Sequence, residues 1–266
     1  MAQSIKVVVN GALGRMGSEV LNALCRHSQL EPVGAVDKMA TEDKLSLPDH
    51  SGSIPLSSDL EAMLKLSHPD VLVDFSVAEA TLPAVRIAVK HRVNLVIGTT
   101  GLSAENLDEI DQLAMDNGIG AIVAPNFALG AVVMIHLAKI AARFFNWAEI
   151  VEMHHEKKLD APSGTALSTA RAMLESRGKP FLYSKVQKES LSNTRGGELE
   201  GIALHSMRLP GLMAHQEVIL GTDGQTLTIR HDTINRECYM PGVVLAIQKV
   251  GEIKGLTYGL DTLLGL

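Results

Sequence analysis

The sequence predicts an α/β chain in two parts: a doubly wound parallel sheet, then an α+β unit with a largely open mixed sheet and helices on one face. Three observations carry this. Short β-branched runs alternate with helical periodicity from Ile5 to Phe127. A glycine-rich turn follows the first of those runs. After Phe127 the alternation gives way to a long apolar helix and several extended segments. The expected division is residues 1–127 with 236–266 as one domain, and 128–235 as the other. A length of 266 residues accommodates both.

The first run, Ile5-Lys6-Val7-Val8-Val9, has the look of a parallel strand covered on both faces. Asn10-Gly11-Ala12-Leu13-Gly14-Arg15-Met16-Gly17 follows, then a helix with Met16, Val20, Ala23 and Leu24 on its apolar side. GxxGxxG is a variant of the dinucleotide fingerprint. Gly11 permits the tight turn, Gly14 lets backbone approach a pyrophosphate, and Gly17 lets the helix pack on the strand. The helix start offers N–H groups and a positive dipole end to phosphates. No Gly-Lys-Ser/Thr follows, so a Walker loop is excluded. An ordinary strand-to-helix turn remains the competing reading until context is added.

That context is the second strand, Val33–Val36, ending in Asp37, about 20 residues past Gly17, where an acid accepts from the adenosine ribose. Asp37 favours NADH and the adjacent Lys38 suits the extra phosphate of NADPH, so the pair points to tolerance of either; Lys38 as a plain surface lysine is the alternative. Residues 39–56 lack periodicity and read as a surface loop. Ser58 or Asp59 caps a helix through Leu66, and Val71–Asp74 is a strand. Ala78–His91 is a helix in which Pro83 must occupy the first turn or a kink. Asn94–Ile97 is a strand ending in Gly98-Thr99-Thr100-Gly101, small hydroxyl-bearing residues suited to the nicotinamide-ribose side of a cleft. Ser103 opens a helix with Leu107, Ile110 and Leu113 on one face, and Ile119–Val123 ends in Ala124-Pro125-Asn126-Phe127.

In the second half, a helix over 129–145 leads to a strand, Trp147–Met153, a basic loop, and a helix ending near Gly178. Residues 184–197 read as an exposed loop. Gly201–Arg208, His215–Leu220 and Leu227–His231 are extended, the last two joined by a Thr222-Asp223-Gly224 hairpin turn. Met240–Gly251 is a helix returning to the first domain.

A net charge of −6 argues against nucleic acid or an anionic membrane as the main partner. Cys25 and Cys238 are far apart and form no CxxC, which makes a reducing, cytosolic compartment the expectation. Ile5–Val9 is too short for a secretory signal, and the apolar run 127–145 is broken by His136, Lys139 and Arg143, so no membrane span is expected.

The densest chemistry is Glu152-Met153-His154-His155-Glu156-Lys157-Lys158-Leu159-Asp160-Ala161-Pro162-Ser163-Gly164-Thr165-Ala166. His154 and His155 point to opposite sides of an extended chain and do not chelate one metal. HExxH and GxSxG are both absent, so neither a zinc site nor a nucleophile elbow is expected. What remains is an anion-binding and proton-handling loop. A histidine relays a proton near neutral pH, and Lys158 is a candidate general acid. Ser163 is a helix N-cap ahead of a carboxylate cradle formed by the Gly164 and Thr165 N–H groups and the Thr165 hydroxyl. Taken singly, each residue also fits a surface or capping role.

This segment closely resembles the signature of the dihydrodipicolinate reductase (4-hydroxy-tetrahydrodipicolinate reductase) family. The Gly11–Gly17 turn, Gly98-Thr99-Thr100-Gly101 and Pro125-Asn126-Phe127 resemble its cofactor motifs, and the likeness spans nearly the whole chain. The resemblance implies a Rossmann domain plus a substrate-binding, tetramer-forming domain in a cytoplasmic homotetramer. It implies NADH or NADPH bound by Gly11, Ala12, Leu13, Gly14, Arg15, Met16, Asp37, Lys38, Gly98, Thr99, Thr100, Ala124, Pro125, Asn126 and Phe127. His154 would be proton donor and acceptor and Lys158 proton donor. His155, Gly164 and Thr165 would hold the carboxylates of a small dicarboxylate heterocycle. The chain departs from the family pattern at Arg208-Leu209-Pro210-Gly211 and Arg236-Glu237-Cys238-Tyr239. The rivals are another two-domain dehydrogenase, acting on a semialdehyde or a sugar, and a dinucleotide sensor without catalysis.

Overall fold

The structure is a computed structural model in which residues 4–266 are described. The chain forms two compact units, one ending at Leu129 and resuming at Arg236, the other Gly130–Asn235.

The first unit begins β1 (Ile5–Asn10), α1 (Arg15–Cys25), β2 (Leu30–Val36), β3 (Lys44–Ser46), β4 (Ser53–Ser57) and α2 (Leu60–Ser67). It continues through β5 (Val71–Asp74), α3 (Ala78–Lys90), β6 (Asn94–Ile97), α4 (Ala104–Asn117) and β7 (Gly120–Val123). The next elements are α5 (Leu129–Ala141), β8 (Trp147–His154), α6 (Gly164–Arg177), β9 (Gly197–Leu199), β10 (Ile202–Arg208), β11 (Ala214–Thr222) and β12 (Gln225–Thr233). The chain then closes with α7 (Met240–Val250), β13 (Gly255–Tyr258) and α8 (Leu260–Leu264).

The first sheet runs β13-β7-β6-β5-β1-β2-β4-β3. All its pairings are parallel except β3 on β4. Val7, Val8, Val9, Leu72, Leu95, Val96, Ile97 and Ile122 are fully buried, which is why these strands read as unbroken apolar runs. From β1 the chain builds outward in one direction through β2 and in the other through β5. The switch point therefore lies between β1 and β5, the position where open α/β sheets take their ligands.

Several expectations need correction. β2 starts at Leu30, not Val33. Its register against β1 skips from Pro32 to Gly34, a bulge that accommodates the proline. Residues 39–56 are not simply a loop: β4 pairs with β2 through Leu56 and Ser57, and β3 covers β4 as an antiparallel edge. Of the two placements open to Pro83, the first turn is not taken: it sits at the sixth position, inside α3. α5 ends at Ala141, four residues before Phe145. β13, which no periodicity marks, adds a parallel edge to β7.

The second sheet runs β12-β11-β8-β10-β9. One face of β8 presents Ala148 and Ile150 to α5 and α6. Ala138, Ala170 and Met173 from those helices, with Ala142 just past α5, complete a core with Ile202, Leu204, Val218 and Leu220. Asp223 and Gly224 turn the β11–β12 hairpin, with Gly224 at φ +74. Strand alternation keeps Glu152 and His154 on the same face as Ile150.

Candidate active site

In the first unit the cofactor residues implied by the sequence gather at the carboxyl ends of β1, β2, β6 and β7. Gly11 has φ +77, and a Cβ there would lie 2.6 Å from the Phe75 carbonyl oxygen, so only glycine makes this turn beside β5. A Cβ on Gly17 would lie 2.2 Å from the Gly11 oxygen, the close packing of α1 on the turn. Gly14 caps α1 with no side-chain bond, and no acid lies in the first turn. Free N–H groups and an uncontested dipole therefore fit a pyrophosphate. Ala12 is buried, while Leu13 and Arg15 are exposed and Met16 half-buried.

Asp37 accepts from Leu13 N and Met39 N, both at 3.0 Å, one on each oxygen. It pins the glycine turn to the end of β2, and each oxygen keeps a lone pair for a ribose hydroxyl. Lys38 is exposed beside it. Gly98 lies against the Phe75 ring, and Phe75 meets Phe127 at 5.9 Å between centroids. Thr99 departs from the expectation that its hydroxyl faces a cleft. It is buried and donates to Asp74 Oδ2 at 3.1 Å, whereas Thr100 is exposed. Asn126 holds the turn after β7 by accepting from Ala128 N at 2.9 Å; Ala124 is buried and Pro125 exposed.

Sequence reasoning gave Asp74 no role. It is 1% exposed and collects Asn10 Nδ2 at 2.7 Å and Thr81 Oγ1 at 2.6 Å along with Thr99.

In the second unit, β8 runs one residue further than expected, so His154 closes the strand and His155 opens the loop. His155 is exposed; His154 keeps 15% of its side chain accessible. Lys158 Nζ donates to Asp160 Oδ1 at 2.7 Å, and its backbone N–H closes a turn on the His155 carbonyl. The Ala161–Pro162 bond is cis. Ser163 caps α6, its hydroxyl accepting from Ala166 N at 3.2 Å. Gly164 is exposed and Thr165 half-buried, and as first-turn residues their N–H groups have no intrahelical acceptor. Basic side chains and a helix start with free N–H groups thus lie on one loop.

Beneath the loop is the residue that sequence reasoning passed over. Glu152 is fully buried. Its carboxylate takes His154 Nδ1 at 2.5 Å, Arg208 Nη1 and Nη2 at 2.9 and 2.7 Å, and Ser163 N at 3.2 Å. Arg208, which stood out as a departure from the family pattern, also donates to the Asp160 carbonyl at 2.7 Å and so ties strand to loop. Burial pushes Glu152 up, but bonds from Arg208, Ser206 and His154 outweigh it and hold the carboxyl below its ordinary value. His154 is lowered, first by burial, against the pull of Glu152, with the charges of Lys158 and Arg208 adding to the lowering. Burial and the nearby cations thus favour the neutral imidazole at pH 7. One signal was available: Glu152 lies two residues before His154, hence on the same strand face.

Among the described residues no group of three or more His, Cys, Asp or Glu is placed to hold a metal ion. Nor is any helix among them long and apolar enough to cross a membrane.

Comparison with known proteins agrees along the whole length. Residues 5–127 match the family model for the N-terminus of dihydrodipicolinate reductase, and residues 130–264 match that for its C-terminus. A 4-hydroxy-tetrahydrodipicolinate reductase of Dehalococcoides mccartyi is 61% identical over 262 residues, 98% of this chain and 99% of that protein. The enzyme of the same name from Moorella thermoacetica is 48% identical over 268 residues, 99% of each. A solved dihydrodipicolinate reductase from Paenisporosarcina sp. TG-14, bound to dipicolinate, superposes with a TM-score of 0.88 at 40% identity, over 98% of this chain and 99% of that one. The chain belongs to the dihydrodipicolinate reductase family, NAD(P)H-dependent oxidoreductases that make tetrahydrodipicolinate from its 4-hydroxy precursor in diaminopimelate and lysine biosynthesis.

Proposed function

We propose that this chain carries out the family's reaction at the loop between β8 and α6, with His154 and Lys158 handling protons and His155, Gly164 and Thr165 holding a carboxylate of the heterocycle. The supporting observation is that one loop carries two basic proton carriers and an open, Ser163-capped helix start. The glycine turn, Asp37, Lys38, and the segments Gly98–Thr100 and Ala124–Phe127 hold NADH or NADPH in this reading, and the cofactor supplies hydride. Water leaves the hydroxylated ring and hydride adds to the unsaturated carbon. Lys158 gives a proton to the charge that develops on the ring-nitrogen side, while neutral His154 accepts and returns one through Nε2. The positive groups of the loop stabilise that charge electrostatically.

The substrate in this reading is a small cyclic dicarboxylate, consistent with dipicolinate in the solved relative from Paenisporosarcina. The protein works in the cytoplasm as a homotetramer joined through the second unit, a state that sedimentation tests directly. Following nicotinamide absorbance with 4-hydroxy-tetrahydrodipicolinate and each cofactor is the assay. His154→Gln and Lys158→Ala are each expected to lower turnover by roughly 100-fold or more while dinucleotide binding survives. Normal turnover in both would remove the proton roles.

A further inference from the structure

His154 is surrounded by a defined set of charges: Glu152 on its own strand, Arg208 opposite on β10, and Lys158 on the loop with Asp160 bound to it. An ionised carboxylate has no proton to give, so the contact of 2.5 Å to Glu152 requires that Nδ1 be the donor. The other ring nitrogen, Nε2, has no protein partner among the described residues. Arg208 meanwhile covers both oxygens of Glu152 and reaches the Asp160 carbonyl.

We infer that Glu152 and Arg208 are positioning residues: Glu152 locks His154 into the Nδ1–H tautomer with its Nε2 lone pair presented, and Arg208, bound to both carboxylate oxygens, fixes the carboxylate that orients the ring. This rests on the proton-handling role of His154. A lone carboxylate in hydrogen-bond contact would hold an imidazole charged near neutral pH. Burial is the chief cause that works against this pull, with the charges of Lys158 and then Arg208 adding to it, while bidentate Arg208 holds both oxygens of the carboxylate in place. The same guanidinium joins the strand end to the loop, fixing where the ring stands relative to Lys158.

The decisive experiment is an NMR titration of the full-length protein labelled with 15N-histidine, the His154 signal being assigned by its loss in His154→Gln. The expected result is the Nδ1–H tautomer with a midpoint below the ordinary histidine value of about 6.5. An Nε2–H tautomer, or a midpoint at or above that value, overturns the inference, and because the protein is unaltered the result does not depend on any variant folding. Glu152→Gln is expected to move the midpoint further down and Arg208→Gln to move it up. Each lowers kcat by about 10- to 100-fold with KM little changed. Folded variants that lose activity while the midpoint stays fixed mark the pair as merely structural and overturn it as well. Normal turnover in His154→Gln would sink the proton role and leave the tautomer result standing, so the two failures are distinguishable.

Discussion

Two buried carboxylates, one in each unit, keep different company. Asp74, at the end of β5, takes an amide from Asn10 and hydroxyls from Thr81 and Thr99, all neutral donors. Glu152, near the end of β8, takes a guanidinium, an imidazole and a backbone N–H. Neutral donors fix a shape, and a nucleotide-binding switch point needs shape. Charged, titratable partners make the local geometry depend on protonation, which suits the proton-moving role proposed for this loop. Burial alone does not distinguish them; the chemistry of the donors does.

The comparison breaks most visibly when each carboxylate is removed. Glu152→Leu leaves the half-buried Arg208 without its counter-charge and is expected to cost about 3 kcal/mol in urea unfolding. The double variant with Arg208→Met should recover a large part of that, because the unpaired charge goes with it. Asp74→Asn keeps size but sets an amide among donors, and the expected loss is smaller, about 1–3 kcal/mol. A loss at Asp74 as large as at Glu152 would mean that the charge of the partners is not what separates the two sites.

The smallest effect is a pH slope. His154 titrates lower in the folded protein than in the unfolded chain, so as pH falls below about 6.5 the unfolded chain takes up the proton first and stability declines. His231, lowered mainly by burial, adds to the same window. Glu152, held below its ordinary value, contributes stability above about pH 4.5 that is lost as the acid range is entered. Chemical denaturation from pH 7.5 to 3 should show both steps, and His154→Gln should reduce the upper one. One group supplies at most about 1.4 kcal/mol per pH unit.

What the chain made legible was local. The Gly11–Gly17 turn and the Ser163 cap depend on residues within a few positions of one another, so spacing alone reveals them. The partnership of Glu152 with Arg208 is set by register between β8 and β10, where Arg208 stands opposite His154 across 53 intervening positions. Nothing near either residue announces it. The partner of the Thr99 hydroxyl was hidden for a related reason: its acceptor, the buried Asp74, lies 25 positions earlier in the chain. β3, β4 and β13 escaped because short strands at or next to a sheet edge owe their existence to a neighbour's open hydrogen bonds more than to their own composition.

That last strand has a bearing on how the protein is made. β7 is fully buried, and its outer hydrogen bonds are completed by residues 255–258, which follow the entire Gly130–Asn235 unit in the chain. A ribosome moves at about 5–20 residues per second, so more than a hundred residues of translation separate the two strands by several seconds at least. Throughout that interval the nascent first unit carries an apolar parallel strand with an unpaired edge, the feature most prone to capture by a neighbouring chain. The order of synthesis, and not only the final contacts, therefore sets where this protein is vulnerable.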